Sequence, residues 1–276
     1  MGSLVSLCVG TSFAKTLFPA MGAEGISAYR IALAAVMLML AFRPWRRRWQ
    51  ATDLWPLGLY GVTLGAMNLL FYKAIAEIPL GLAIAIEFTG PLAVALWSSR
   101  HARDLLWVAL AAAGLGLILP LQGLDTPQAL KPIGIAYALS AGAFWALYIV
   151  FGQRVARRYG RDATPMGMLA GALVVAPVAL LHSGSALFNL DWLPAALAVA
   201  LLSSAIPYAL EMFSLNHLPK NTFSILLSLE PAVGALAGWL VLSERLTVLQ
   251  GLAIVMVMTA SMGTAWSAGR AKSPQL

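Results

Sequence analysis

The sequence predicts an all-α, polytopic membrane protein, with ten transmembrane helices arranged as two inverted five-helix repeats in one integrated membrane domain. Three observations carry this. The 276 residues are 60% hydrophobic and only 11% charged, against about 45–50% and about 25% in soluble domains. The apolar residues gather into ten runs of about 17–25 residues, each long enough as a helix to cross about 30 Å of hydrocarbon. Pairs of prolines recur in the two halves at a constant displacement.

The runs, marked off by charges, Pro and Gly, are 1–18, 25–42, 54–76, 80–98, 104–121, 132–153, 163–181, 191–214, 219–241 and 246–267. A transmembrane barrel needs alternating apolar and polar positions. Leu105–Leu121 (LLWVALAAAGLGLILPL) does not alternate, so helices are expected. The opening Met1–Ser6 fits a loose myristoylation pattern but leads straight into an apolar helix. No basic segment precedes that helix and Lys15 interrupts it, so a cleaved signal peptide is not expected. The one cysteine, Cys8, can form no internal disulfide and reads as a small buried hydrophobe.

Charge sets the expected orientation. With the N- and C-termini cytoplasmic, the inner loops and tail hold Arg43, Arg46, Arg47, Arg48, Arg100, Arg103, Arg154, Arg157, Arg158, Arg161, Lys220, Arg270 and Lys272. The outer loops hold only Lys131 and Arg245. This is the bias that the positive-inside rule demands, and the opposite orientation would invert it. The net charge of +7 therefore follows from membrane topology. No nucleic-acid partner is expected, because the basic clusters lack a polar domain to present them. Trp45, Trp49, Trp55, Trp107, Trp192 and Trp266 stand near run ends, as an interfacial belt would.

Pro79 and Pro91 lie 12 residues apart, as do Pro219 and Pro231, displaced by 140. At that displacement Ala95 meets Ala235, Leu96 meets Leu236, Asp104 meets Glu244 and Leu106 meets Leu246. Gly10–Ala14 also resembles Gly142–Ala146. The expected halves are 1–125 and 126–276, with five runs each. An odd number of crossings per half orients the halves oppositely, the architecture of many secondary transporters, with a site between repeats near the midplane.

Three prolines fall deep in runs: Pro91, Pro207 and Pro231. Each lacks an N–H and frees the carbonyl four residues back, on Glu87, Ser203 and Leu227. In lipid, such carbonyls must face protein or a wet cavity. The prolines are thus expected kinks, serving as gates or shaping packing. Glu87 and Glu230 lie mid-run beside two of them, and Glu211 lies nearer an inner end. An ionised carboxylate at the bilayer centre costs at least about 2.5–3.5 kcal/mol unless paired or hydrated. These residues either bind a substrate ammonium or proton, or pair structurally with Lys15, Arg30 or Lys73. Lys15 and Arg30, toward the outer ends of their runs, otherwise hold a substrate carboxylate or snorkel to the interface, and snorkelling is the expected role for Lys73 above all. The aromatics Tyr60, Tyr72, Phe88, Trp145, Tyr148 and Tyr208 lie mid-run with Asn68 and Ser204 at similar depth. The candidate substrate-binding set is Tyr60, Asn68, Glu87, Phe88, Trp145, Tyr148, Tyr208 and Glu230. The small-residue pairs Gly61/Gly65, Gly167/Gly171 and Gly234/Gly238 permit close helix contact. His101, His182 and His217 read as solvated, and no metal or cofactor is expected. No catalytic signature is present: neither HExxH, GxSxG nor a phosphate-binding loop.

Phe13–Pro19 (FAKTLFP), Ala28–Leu33 (AYRIAL), Pro79–Leu96 (PLGLAIAIEFTGPLAVAL), Pro207–Met212 (PYALEM) and Ser228–Leu236 (SLEPAVGAL) resemble segments of the ten-helix drug/metabolite transporters of the EamA type. The likeness is greatest to their amino-acid exporter branch, which includes threonine/homoserine and aromatic amino acid exporters. Such proteins usually carry a short cytoplasmic lead before their first helix, whereas the first run here opens at Met1. The resemblance implies a bacterial inner-membrane secondary transporter, exporting amino acids and similar small metabolites by alternating access. It would need no cofactor, and as a monomer its partners would be the substrate and the lipid bilayer. A drug or nucleotide-type metabolite exporter of the same fold is the nearest alternative. A membrane enzyme or scaffold is the alternative from another class.

Overall fold

The computed structural model describes residues 1–97, 104–118, 131–207, 210 and 220–270, and among these there is no strand. The helices are α1 (Gly2–Thr16), α2 (Phe18–Phe42), α3 (Ala51–Glu77), α4 (Leu80–Glu87), α5 (Thr89–Trp97), α6 (Asp104–Ile118), α7 (Pro132–Tyr159), α8 (Ala163–Ser183), α9 (Leu193–Ala200), α10 (Lys220–Leu227), α11 (Glu230–Leu242) and α12 (Val248–Arg270). Each predicted run contains helix among its described residues. Among the described residues, five stretches are long and apolar enough to cross a membrane: Phe18–Phe42, Ala51–Glu77, Pro132–Ser183, Ile225–Leu242 and Val248–Ser267. Leu40, Leu173, Leu181, Leu240 and Val255 are more than half exposed on the bundle surface, where a hydrocarbon solvent would meet them.

Local sequence explains the helix ends. Gly22, with φ 71°, bends the start of α2, a conformation a residue with a Cβ would resist. Arg43 ends α2 in the left-handed region and Pro44 follows, so the helix cannot continue. Gln50 and Asp53 form a capping box on α3, with the Gln50 N–H donating to Asp53 Oδ2 at 3.0 Å. Ile78 is extended because Pro79 follows it.

Each of the three deep prolines breaks its helix just N-terminal to itself. Phe88 separates α4 from α5 ahead of Pro91, and Ser228 and Leu229 form a turn between α10 and α11 ahead of Pro231. Ahead of Pro207 the chain widens into a π-helical turn, Leu201–Ala205, where the Ile206 N–H reaches back to the Leu201 carbonyl. In that register the next carbonyl, on Leu202, would need a donor from Pro207, which has none. The Ser6 hydroxyl of α1 supplies it at 2.7 Å.

Small residues let the helices close up where they cross. A Cβ on Gly61 would collide with Ala170 and the Gly167 carbonyl, and one on Gly65 with Gly171. Thus the glycine pair of α3 packs on that of α8, as expected for such pairs. Gly81 of α4 packs the same way against Ala235 of α11, and Gly90 of α5 against the backbone of Gly142 in α7. Gly142 also faces the Glu87 carbonyl that Pro91 frees, which a side chain there would obstruct.

Candidate functional site

A cavity of about 250 Å³ lies where the broken helices meet. Its wall takes Leu7, Cys8 and Thr11 from α1, Arg30 from α2, Met67, Asn68 and Phe71 from α3, and Ile84 and Glu87 from α4. The remainder are Trp145 and Tyr148 from α7, Ser203 and Pro207 around the π turn, and Leu227 and Glu230 around the α10–α11 break. Every one of the three proline breaks therefore has a residue beside it in this wall, whose polar groups sit amid apolar surface.

Arg30 organises the polar side. It is buried, and its guanidinium donates from Nε to Ser204 Oγ at 3.1 Å, from Nη1 to Asn68 Oδ1 at 2.6 Å and from Nη2 to the Ser203 carbonyl at 3.0 Å. The Ser203 carbonyl lies in the widened turn next to that of Leu202, and Arg30 donates to it. Asn68 is oriented in turn by donating its Nδ2 to the Leu64 carbonyl at 2.9 Å. The guanidinium also lies over the Tyr72 ring, 5.4 Å from its centre. Three of its five N–H groups are thus committed to the protein, leaving two for an occupant of the cavity. Glu87, itself buried, and Glu230 line the same cavity, so one cation and two acidic side chains share a pocket.

Of the candidate residues, the structure brings Asn68, Glu87, Trp145, Tyr148, Pro207 and Glu230 to the cavity wall. Tyr60 and Phe88 stand one layer behind. The Tyr60 ring stacks on Tyr148 at 5.2 Å, with the two hydroxyls 3.3 Å apart, and its far edge is pressed against Gly167. Phe88 meets Trp145 edge-on at 5.0 Å. Pro91 and Pro231 shape the wall by breaking helices without lining it. Tyr208 and Glu211 lie outside the described residues, as do His101, His217 and the boundary between the expected halves.

The three in-run cations find different partners. Arg30 does not snorkel, because three acceptors from α3 and the π turn converge on it. Lys15 pairs with Glu244 at 2.6 Å and Lys73 with Glu24 at 3.1 Å, so neither neutralises Glu87 or Glu230. Arg30, Ser203 and Thr11 are the polar wall residues absent from the candidate set. The proline rule had marked the Ser203 carbonyl, but no sequence signal ties Arg30 to it across 173 residues. Cys8 is buried as expected and also faces the cavity.

Residues 132–266 match the profile of the EamA-like transporter family. The chain is similar to the threonine/homoserine exporter RhtA of Escherichia coli (strain K12), with 47% identity over 262 residues, covering 95% of this chain and 88% of the relative. The protein of the same name from Salmonella typhimurium (strain LT2) matches with the same identity and coverage. A crystal structure at 16% sequence identity aligns over 99% of both chains with a TM-score of 0.54, a likeness of fold.

Proposed function

The chain belongs to the EamA-like transporter family, and from that premise we propose that it exports threonine, homoserine and amino acids of similar size across the bacterial inner membrane. The observation that carries this is the fixed guanidinium of Arg30 sharing a cavity with two glutamates. A zwitterion needs a cation for its carboxylate and an anion for its ammonium. Arg30 serves the first, and Glu87 and Glu230 the second. Desolvated in a largely apolar wall, these interactions are far stronger than in water. Asn68 and Thr11 offer polar contacts to a side-chain hydroxyl, and Trp145 with Tyr148 covers its carbon skeleton. A cavity of about 250 Å³ has room for a small amino acid.

The same reading takes residues 1–125 and 126–276 as inverted repeats of five crossings, with both termini cytoplasmic and one chain sufficing for transport. The packing supports it. In the first half α3 lies against α7 and α8; in the second, α9 and the π turn lie against α1 and α2. The pairs α2–α8, α6–α12 and α4–α11 join corresponding members of each half. Exchanging the halves maps each contact onto another or itself. Alternating access then consists of closing one mouth by moving the broken helices about Phe88 and Ser228–Leu229 while the other opens.

Counterflow in proteoliposomes tests the substrate. Vesicles loaded with unlabelled threonine should accumulate labelled threonine, and external homoserine should compete better than phenylalanine. Accumulation unaffected by all three amino acids, or driven only by drug-like or nucleotide solutes, would refute the reading.

A further inference from the structure

Among the described residues, the ion pairs Lys15–Glu244, Lys73–Glu24 and Lys131–Glu77 gather at the end of the bundle formed by the C-termini of α1 and α3 and the N-termini of α2, α4 and α7. They differ in burial. Lys131–Glu77, at 2.6 Å, has side chains 66% and 31% exposed, and such pairs contribute little. Lys15–Glu244, also at 2.6 Å, has side chains only 20% and 14% exposed. It is also part of a larger knot. Lys15 Nζ donates to the Ile78 carbonyl at 3.1 Å, and the other Glu244 oxygen accepts from the Leu80 N–H, the first of α4, at 2.9 Å. Ser243, left-handed at φ 56°, turns the chain at the end of α11, and the Glu244 N–H bonds back to the Gly238 carbonyl at 3.1 Å. A side chain at Gly238 would occupy the space that the Glu244 carboxylate fills.

The knot stands one helical turn beyond the cavity on two of its walls. Thr11 lines the cavity and Lys15 follows four residues later on α1; Ile84 lines it and Leu80 precedes by four on α4. Four residues are about 6 Å of helix. Lys15 and Leu80 belong to the first half, Glu244 to the second. Loop charge places this end outside the membrane.

We propose that Lys15 and Glu244 are the positioning residues of the outer gate. Their ion pair, with the backbone groups of Ile78 and Leu80, clamps the two halves shut between cavity and exterior, and it must part for the solute to leave. This rests on the exporter reading and the charge-derived orientation. It is tested with the native Cys8, which lines the cavity and is 1% exposed. In right-side-out vesicles, a membrane-impermeant maleimide should label Cys8 on the order of tenfold faster in Glu244→Gln and Lys15→Met than in wild type, a shift of the closed–open balance. Glu77→Gln, which breaks only the exposed pair, should label as wild type does. Unchanged labelling in both gate variants, or acceleration only in inside-out vesicles, would overturn the proposal. Should either variant fail to reach the membrane, Lys15→Cys/Glu244→Cys in a Cys8→Ser background supplies the readout. A reducible thiol cross-linker should stop efflux and a reductant should restore it; undiminished efflux while cross-linked would overturn the gate. Labelling needs no substrate, so faster labelling without threonine transport would refute the substrate reading and leave the gate standing.

Discussion

Replacing Arg30 with Lys separates charge from geometry. The guanidinium ties α2 to α3 and to the π turn through three hydrogen bonds. Hydrogen bonds within membrane bundles average about 0.6 kcal/mol and reach about 1.7 kcal/mol each. An ammonium is a compact point charge and can serve one of these three spread acceptors well. Losing the other two costs about 1–3 kcal/mol, so the thermal midpoint of the purified protein should fall by several degrees. The two N–H groups left for substrate are lost as a fork as well. At about 1.5–3 kcal/mol for a hydrogen bond to a charged group, and tenfold per about 1.4 kcal/mol, apparent threonine affinity should fall about 10- to 150-fold. Thermal unfolding in detergent reads the first quantity, and the concentration dependence of threonine counterflow reads the second. A lowered midpoint with wild-type affinity would make Arg30 a structural tie alone; a wild-type midpoint would refute the geometry itself.

Further consequences follow from other parts of the bundle. Gly167→Ala puts a methyl group into the Tyr60 ring; it should destabilise by about 1–3 kcal/mol, the usual cost of overpacking, and a wild-type unfolding midpoint would contradict that. Pro207→Ala supplies an N–H that competes with Ser6 and Arg30 for the Leu202 and Ser203 carbonyls. It should raise the midpoint, by up to about 3 kcal/mol of stability, while slowing counterflow; a lowered midpoint would show that the break stabilises the fold. Single cysteines replacing Arg47 and Lys131, in a Cys8→Ser background, should be labelled by an impermeant reagent from the cytoplasmic and outer faces respectively. Labelling of both from one face would refute the inverted halves.

Much of the fold was legible because membrane solvation makes local sequence decisive. A backbone carbonyl in hydrocarbon must find a donor within its helix, so apolar runs read as helices and Pro91, Pro207 and Pro231 read as breaks. The glycine pairs on α3 and α8 announced their crossing for a similar reason, since only small residues let backbones approach. Part of the cavity wall was legible too, in Glu87, Glu230, Asn68, Trp145 and Tyr148, because polar and amphipathic groups deep in a run are costly and so need a purpose. The rest depended on contacts that no local pattern records. Arg30 and Ser204 lie 174 residues apart, and Lys15 and Glu244 lie 229 apart. From local sequence alone, a cation near a run end looks free to snorkel, and only the fold supplies its acceptors. Tyr60 and Tyr148 are alike in depth and type, yet only Tyr148 faces the cavity, because Gly152 and Gly167 leave a slot that Tyr60 fills.

The most direct measurement is a structure determined with threonine bound. The ligand should occupy the central cavity with its carboxylate within hydrogen-bonding distance of the Arg30 guanidinium and its ammonium beside Glu87 or Glu230. Threonine bound elsewhere, or in the cavity with its carboxylate turned away from Arg30, would contradict the account.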